Sequence, residues 1–457
     1  MKSQLDFSQL IGPQPEHAVK LLNSIYVNGV AADLSDTGVG KTYVAAWVAK
    51  QLNVPLVVIC PKVVRKTWGE VLANFGIKAN VIINYEKLVR GNTEHLTFKN
   101  NNDEYVENYQ IHFPKDALVI LDETHKCKAL KSKNANMLVA LKQQGYKLFL
   151  LSATAATNPV EMRAFGYSTL LHNLYNFKDF LKDSNVYINR FGAFQVDLEN
   201  TATRNAMRNI HDTLFNQTKV AGRMTRKMFG SIFPDNRVKA EAFDMGANTD
   251  KINRVYELME AELAALEESS SNYKQHQFAI MTKARRMAEL LKVPTMVEMI
   301  EDMYDEGISP VVFVNYTETV EAINKKLSKK NKFDNKIAYI VGGQTNKQRD
   351  NDIAEFQNNV KRIMIVNTQA GNAGISLHDL NGNFPRHTII SPTWSAVNML
   401  QCLGRAHRAG GKTPVIQNIL FAEDTIESQI CKRVKSKLEN LDSLNDGDLD
   451  FSLSLSF

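Results

Sequence analysis

The chain has 457 residues, enough for two to four domains at about 100–200 residues each. Hydrophobic residues make up 44% and charged residues 23%, a globular balance that excludes a disordered, collagen-like or disulfide-stapled protein. The 55 Lys and Arg outnumber the 49 Asp and Glu, a net charge of +6.

That charge is uneven. Residues 440–457 carry Asp442, Asp446, Asp448 and Asp450 but no Lys or Arg. Without those four charges the body stands at +10, a modest excess that suits a polyanionic partner. No run approaches the ~20 apolar residues that span a bilayer. Met1-Lys2-Ser3-Gln4 lacks the apolar core of a secretory signal. A cytoplasmic protein without a membrane partner is expected. Cys60, Cys127, Cys402 and Cys431 form no CxxC pair, so buried thiols are expected rather than a zinc site or disulfides.

In chain order, Val30–Leu34 reads as a strand and Lys41–Leu52 as a helix. Between them stands Gly38-Val39-Gly40-Lys41-Thr42, the context a phosphate-binding loop requires. Glycines let backbone N–H groups wrap phosphates, and the helix turns its positive end toward them. Lys41 would reach the β- and γ-phosphates, and Thr42 would hold Mg²⁺. The usual first glycine of the pattern is Ser35.

Pro55–Cys60 and Asn80–Asn84 are further strands, with a helix over Val64–Phe75 between them. Ala117–Asp122 follows and ends in Asp122-Glu123-Thr124-His125. Carboxylates at a strand's C-terminal end lie where an open α/β sheet opens its ligand crevice. Asp122 would hold Mg²⁺ and Glu123 would polarise an attacking water. Lys147–Ser152 closes the series with Ser152-Ala153-Thr154. Alternating strands and helices of this kind mean a parallel sheet covered on both faces.

From Pro159 the pattern turns helical. Ile252, Val255, Tyr256, Met259 and Leu263 fall at helix spacing, and a second helix runs from Lys274 to Lys292, ended by Pro294. The strand rhythm returns at Pro310–Val314, Lys336–Val341, Arg362–Asn367, His387–Ser391 and Pro414–Leu420. Near its end Arg405 and Arg408 stand three apart, on one helical face. Such arginines either line a solvated surface or stabilise charge on a transferring phosphoryl group.

Taken in order, these segments resemble superfamily 2 helicases and translocases, most nearly the Swi/Snf-like branch in a compact phage or bacterial form. Asp36–Thr42 resembles motif I, Val58–Lys62 with Trp68 motif Ia, Ile83–Glu86 motif Ib, Asp122–His125 motif II and Leu151–Thr154 motif III. Arg223-Met224-Thr225-Arg226-Lys227 resembles the stretch closing the first lobe. Val312–Val314, Asn367–Ile375 and Trp394–Arg408 resemble motifs IV, V and VI.

The resemblance implies an α/β fold of two RecA-like parallel-sheet lobes with a helical accessory region between them. Expected bounds are 1–158 for the first lobe, 159–245 for its helical extension, 246–294 for a helical connector, 295–439 for the second lobe and 440–457 for the acidic tail. It implies ATP and Mg²⁺ as cofactors. Gln14 would read adenine, and Asp36, Thr37, Gly38, Val39, Gly40, Lys41 and Thr42 would bind ATP. Thr42 and Asp122 would hold the metal. Lys41, Asp122, Glu123, Gln401, Arg405 and Arg408 would be catalytic, and Ser152, Ala153 and Thr154 would couple the site to movement.

DNA is the expected partner: duplex, fork or four-way junction. Lys62, Arg65 and Lys66 suit phosphate contacts, which position without reading sequence. Tyr85, Asn315, Gln344, Thr368, Gly371, Asn372 and Trp394 are further candidate contacts. Trp68 and Trp394 would either stack on bases or pack. The tail is a solubilising end, a nucleic-acid mimic or a dock for a protein partner. An ATP-driven DNA translocase for branch migration or fork remodelling is the expected function. A strand-separating RNA or DNA helicase and an ATP-gated DNA clamp are the alternatives.

Overall fold

The computed structural model describes residues 5–91, 93–99, 104–153, 156, 158–188, 194–197, 200–266, 273–371, 375–392, 396–428 and 431. Thr154, Asn372, Trp394 and the acidic tail lie outside them. The chain forms two compact units and passes from the first to the second between Gly230 and Ser231.

The first unit holds a parallel sheet of six strands: β1 (Val30–Asp33), β2 (Leu56–Cys60), β3 (Val81–Asn84), β4 (Leu118–Asp122), β5 (Lys147–Leu151) and β6 (Ala221–Gly222). Their order is β6-β1-β5-β4-β2-β3. β1 and β2 are buried along their whole length, as strands covered on both faces must be. Helix α1 (Gln14–Asn28) ends at Gly29, which takes φ 68° and donates its N–H to the Ile25 carbonyl. Only glycine enters that left-handed turn without strain. Helix α2 (Lys41–Leu52) starts directly from the phosphate-loop glycines, and α3 (Arg65–Asn74) follows β2. The α4 helix (Lys133–Gln143) is capped by Ser132, whose hydroxyl accepts from the Ala135 N–H.

The second unit repeats the architecture with β7 (Asn236–Phe243), β8 (Ser309–Val314), β9 (Ile337–Ile340), β10 (Ile363–Asn367), β11 (Arg386–Ile390) and β12 (Val415–Ala422), in the order β7-β12-β11-β8-β10-β9. All paired neighbours are parallel. Helices α5 (Thr249–Ala264), α6 (Tyr273–Leu291) and α7 (Val293–Asp305) precede β8. The α8 helix (Thr317–Leu327), α9 (Asn346–Gln357) and α10 (Ala396–Ala406) alternate with the later strands. A reciprocal Thr345–Gln348 capping box opens α9.

The ten expected strands all exist, each within two residues of its expected ends. Two expectations change. Residues 236–243, expected within a helical extension of the first lobe, form an edge strand of the second sheet. Their alternation of Arg237, Lys239 and Glu241 with Val238, Ala240 and Ala242 suits an edge strand. Residues 246–294, expected as a connector, pack into the second unit's core: Ile252, Tyr256, Met259 and Ala288 join Val312, Val314 and Ile389 there. The helix expected to stop before Pro294 does so, at Leu291, and a new helix starts at once. Pro294 occupies the first turn of α7, where its missing N–H costs nothing.

A buried ion pair fastens those helices. Lys292 Nζ lies 2.9 Å from Glu427 Oε2, both side chains being 3% exposed. Tyr256 donates to Glu427 Oε1 at 2.7 Å and the Ala422 N–H to Oε2 at 2.9 Å. Lys292→Met should lower stability by about 3–5 kcal/mol in urea unfolding, because it strands a buried carboxylate. Adding Glu427→Gln should recover part of the loss. A wild-type midpoint for the single variant would contradict the pair's weight.

Candidate nucleotide site

The phosphate loop leaves β1 and enters α2. Gly38 and Gly40 take φ 83° and 87°, a region other residues enter only with strain. A Cβ at Gly40 would collide with the Gln14 amide. Lys41 Nζ donates to the loop's own carbonyls, Ser35 O at 2.6 Å and Asp36 O at 2.9 Å. Burial pulls its ammonium below the ordinary lysine range, opposed by the charges of Asp33, Glu123, Asp36 and Asp122.

Gln14 is buried. It donates to the Val39 carbonyl at 2.8 Å and accepts the Ile11 N–H at 2.9 Å. One amide hydrogen and one oxygen lone pair remain for a base.

The loop's departure from the usual glycine has a structural use. The Ser35 hydroxyl accepts the Met224 N–H at 2.8 Å and lies 3.3 Å from His17 Nε2. His17 Nε2 in turn stands 3.1 Å from Asp33 Oδ1. Burial raises the Asp33 carboxyl, but His17, Lys41 and Ser35 together bring it below its ordinary range.

Asp36 and Thr37 are tied to residues 223–226. The Asp36 N–H donates to Met224 O at 3.0 Å. Asp36 Oδ1 accepts from Arg223 Nη2 at 3.0 Å, and Oδ2 from the Arg226 N–H at 3.1 Å. The Arg226 guanidinium donates to Thr37 Oγ1 at 2.6 Å and to Thr37 O at 3.2 Å. The segment closing the first unit thus holds the phosphate loop directly. Sequence reading placed Arg223–Lys227 in a family stretch but gave it no part in this loop; its two arginines were the available signal.

Asp122 ends β4, one strand from β1 across β5. Burial and the neighbouring Glu123 charge push its carboxyl up to about 6. Glu123 holds φ 58°, uncommon for a side-chain-bearing residue and typical of strained site backbones. His125 Nδ1 lies 3.2 Å from Glu123 Oε2 and 3.4 Å from Ser152 Oγ, so Glu123 and the residue after β5 share one imidazole. Thr124 donates to Leu121 O at 2.8 Å. Ala153 follows the buried Ser152.

These residues fit a magnesium nucleotide. The glycine cradle bars a Cβ, Lys41 holds only carbonyls that phosphate oxygens can replace, and the crowded carboxylates call for a cation. Thr42, half-buried at the start of α2, and Asp122 are the ligand candidates.

The candidate nucleic-acid residues divide. Lys62, in the turn before α3, and Arg65 and Lys66, at its start, are exposed. Tyr85 is fully buried and donates to Asp122 O at 2.9 Å, so it is core rather than contact. Asn315 spends both amide hydrogens inward, on Glu289 Oε2 and Pro392 O at 3.0 Å. Gln344 is likewise committed, accepting from Val341 N–H and donating to Tyr339 O and Asp352. Thr368 is buried and donates to Val314 O at 3.1 Å. Gly371 is buried against Val366. Short polar residues at strand ends satisfy neighbouring backbone groups, and sequence alone cannot separate that from ligand contact.

Glu289, which sequence reading passed over, organises two of those strand ends. This buried carboxylate of α6 accepts from Asn315 N–H at 3.0 Å, Tyr316 N–H at 3.2 Å, Thr319 Oγ1 at 2.7 Å and Ser391 Oγ at 2.6 Å. A carboxylate among the alanines of the helix's apolar stripe was its signal.

In the second unit, Gln401 and Arg405 are buried on α10. Arg408 donates to Gly404 O at 3.1 Å and Ile375 O at 2.9 Å.

Residues 291–410 match the helicase conserved C-terminal domain. A protein of Acanthamoeba polyphaga mimivirus named "Putative ATP-dependent RNA helicase" is 32% identical, over 97% of this chain and 85% of its own length. A Drosophila melanogaster SWI/SNF-related regulator of chromatin, subfamily A-like protein 1, is 23% identical over 89% of this chain, which spans only 52% of that relative. The Sulfolobus solfataricus SWI2/SNF2 ATPase core in complex with dsDNA is 17% identical, with a TM-score of 0.37, over 99% of this chain and 97% of that one. No helix among the described residues is long and apolar enough to cross a membrane. Matched over nearly its whole length by the mimiviral helicase, the chain belongs to the ATP-dependent helicases and is a nucleic-acid-dependent ATPase.

Proposed function

We propose that the chain is an ATP-driven DNA translocase acting on duplex or branched DNA, as in branch migration or fork remodelling. The observation that carries the ATP-driven part is the grouping of Lys41, Asp122 and Glu123 within one unit. Lys41 would steady the β/γ-phosphates, and Thr42 and Asp122 would hold Mg²⁺, which would offset the phosphate charge. Glu123, oriented by His125, would draw a proton from the attacking water. Gln401, Arg405 and Arg408 are assigned to hydrolysis by motif resemblance. DNA is favoured by the similarity to a SWI/SNF-related regulator of chromatin and by the exposed cations at the start of α3, which suit a backbone followed without regard to sequence.

A second reading, an RNA helicase, is favoured by the mimiviral relative's name. The ATPase rate separates them, measured with no nucleic acid, single-stranded DNA, duplex, a four-way junction and RNA at one fixed salt. Duplex or junction DNA should stimulate most. Stimulation by RNA alone would establish the second reading instead. A flat profile would leave an ATP-gated clamp.

A further inference from the structure

The Trp68 indole is buried inside α3, yet its N–H reaches the acidic pair. Nε1 donates to Asp122 Oδ2 at 2.9 Å. Tyr85 holds the same residue by its backbone carbonyl. Against the burial and the Glu123 charge that raise this carboxyl, the indole hydrogen bond favours its charged form.

We propose that Trp68 is a positioning residue: it fixes the Asp122 carboxylate for the metal and ties it to α3, whose exposed cations would meet nucleic acid. This rests on the reading of Asp122 as a magnesium ligand. The chemistry suits the task. Carboxylates that bind metals are themselves held by outer hydrogen bonds, which set their orientation. An indole N–H is a neutral donor with no acceptor capacity. It can hold one oxygen without supplying the positive charge that a lysine or arginine would place beside the metal. The indole is also stiff, with two side-chain torsions. Arg65 and Lys66 lie on the same helix, and Lys62 in the turn before it, all exposed. A displacement of α3 by a polyanion therefore acts on the orientation of Asp122 through one rigid ring.

The test uses the full chain and mant-ADP, with and without Mg²⁺. Trp68→Phe keeps an aromatic ring and removes the donor. Its metal-free mant-ADP affinity should equal that of the wild type, while the strengthening of binding by Mg²⁺ should fall about tenfold. ATPase should recover at high Mg²⁺, a rescue that a general packing defect would not show. Asp122→Asn separates the two levels of the argument. Should Asp122→Asn lose the Mg²⁺ effect while Trp68→Phe retains it in full, the role of Trp68 is overturned and the metal site stands. Should both retain it, the reading of Asp122 is wrong, and the proposal goes with it.

A second measurement needs no change at Trp68. In protein labelled with ¹⁵N-indole tryptophan, the Trp68 resonance is identified by elimination with Trp47→Phe and Trp394→Phe. It should shift when Mg²⁺ is added to the ADP-bound protein, and again with duplex DNA. A resonance that moves with neither would overturn the link.

Discussion

Lys41→Ala should abolish ATP hydrolysis. Removing one preorganised electrostatic contact to a developing phosphoryl charge costs about 10²–10³-fold in kcat. Lys41 is expected to exceed that, because it also orders the loop. Its Nζ closes on the Ser35 and Asp36 carbonyls, and it stands among the charges of Asp33, Glu123, Asp36 and Asp122. Alanine leaves those carbonyls without their donor and the acidic groups without that cation. Nucleotide affinity should therefore fall along with turnover. The measurement is ATPase rate with saturating duplex DNA, beside mant-ADP binding and circular dichroism to establish folding. Normal turnover in a folded variant would refute the placement of the site.

The second large effect is expected from Asp36→Ala, which attacks the loop from the other side. Asp36 holds Arg223 and the Arg226 backbone at once, with side chains only 10–15% exposed across the Arg223 pair. Without it a largely buried guanidinium loses its carboxylate, a cost of about 2–3 kcal/mol. The loop then loses the carboxylate's two ties to residues 223–226, while Lys41, the Asp36 N–H on Met224 O and the Arg226 guanidinium on Thr37 remain. The KM for ATP should rise roughly tenfold, as the nucleotide must itself order the loop. Asp36→Asn keeps hydrogen-bonding capacity without the charge and should fall between. Wild-type KM and urea midpoint in Asp36→Ala would show that the tie does not shape the site. Stability lost with KM unchanged would make it a purely structural clasp.

The strands were legible because parallel strands buried on both faces are short apolar runs, and runs such as residues 118–121 have no other stable use in a chain of this composition. The phosphate loop was legible for a different reason: its glycines answer a local backbone demand, visible without tertiary context. The edge strand 236–243 and the packed helices 246–294 were misjudged. A half-polar strand reads as amphipathic surface until its partner is known, and a helix's apolar stripe does not say which core receives it.

Of the proposed site, the sequence alone singled out Lys41, Thr42, Asp122 and Glu123 at the junctions of strands and helices. Their type and spacing follow from local rules. Only the tertiary structure decided what holds them. The Arg226 guanidinium on Thr37, 189 residues away, is a pairing that no local pattern encodes. The same holds for the indole of Trp68 on Asp122 and for Glu289 beneath Asn315. It also decided which polar residues remain available to a partner. Tyr85, Asn315, Gln344 and Thr368 look from the sequence like contacts, yet the fold uses their donors on its own buried acceptors. The reason is energetic: a buried donor left unpaired costs more than the hydrogen bond contributes when made. A side chain near a strand end is therefore drawn inward wherever an acceptor lies within reach.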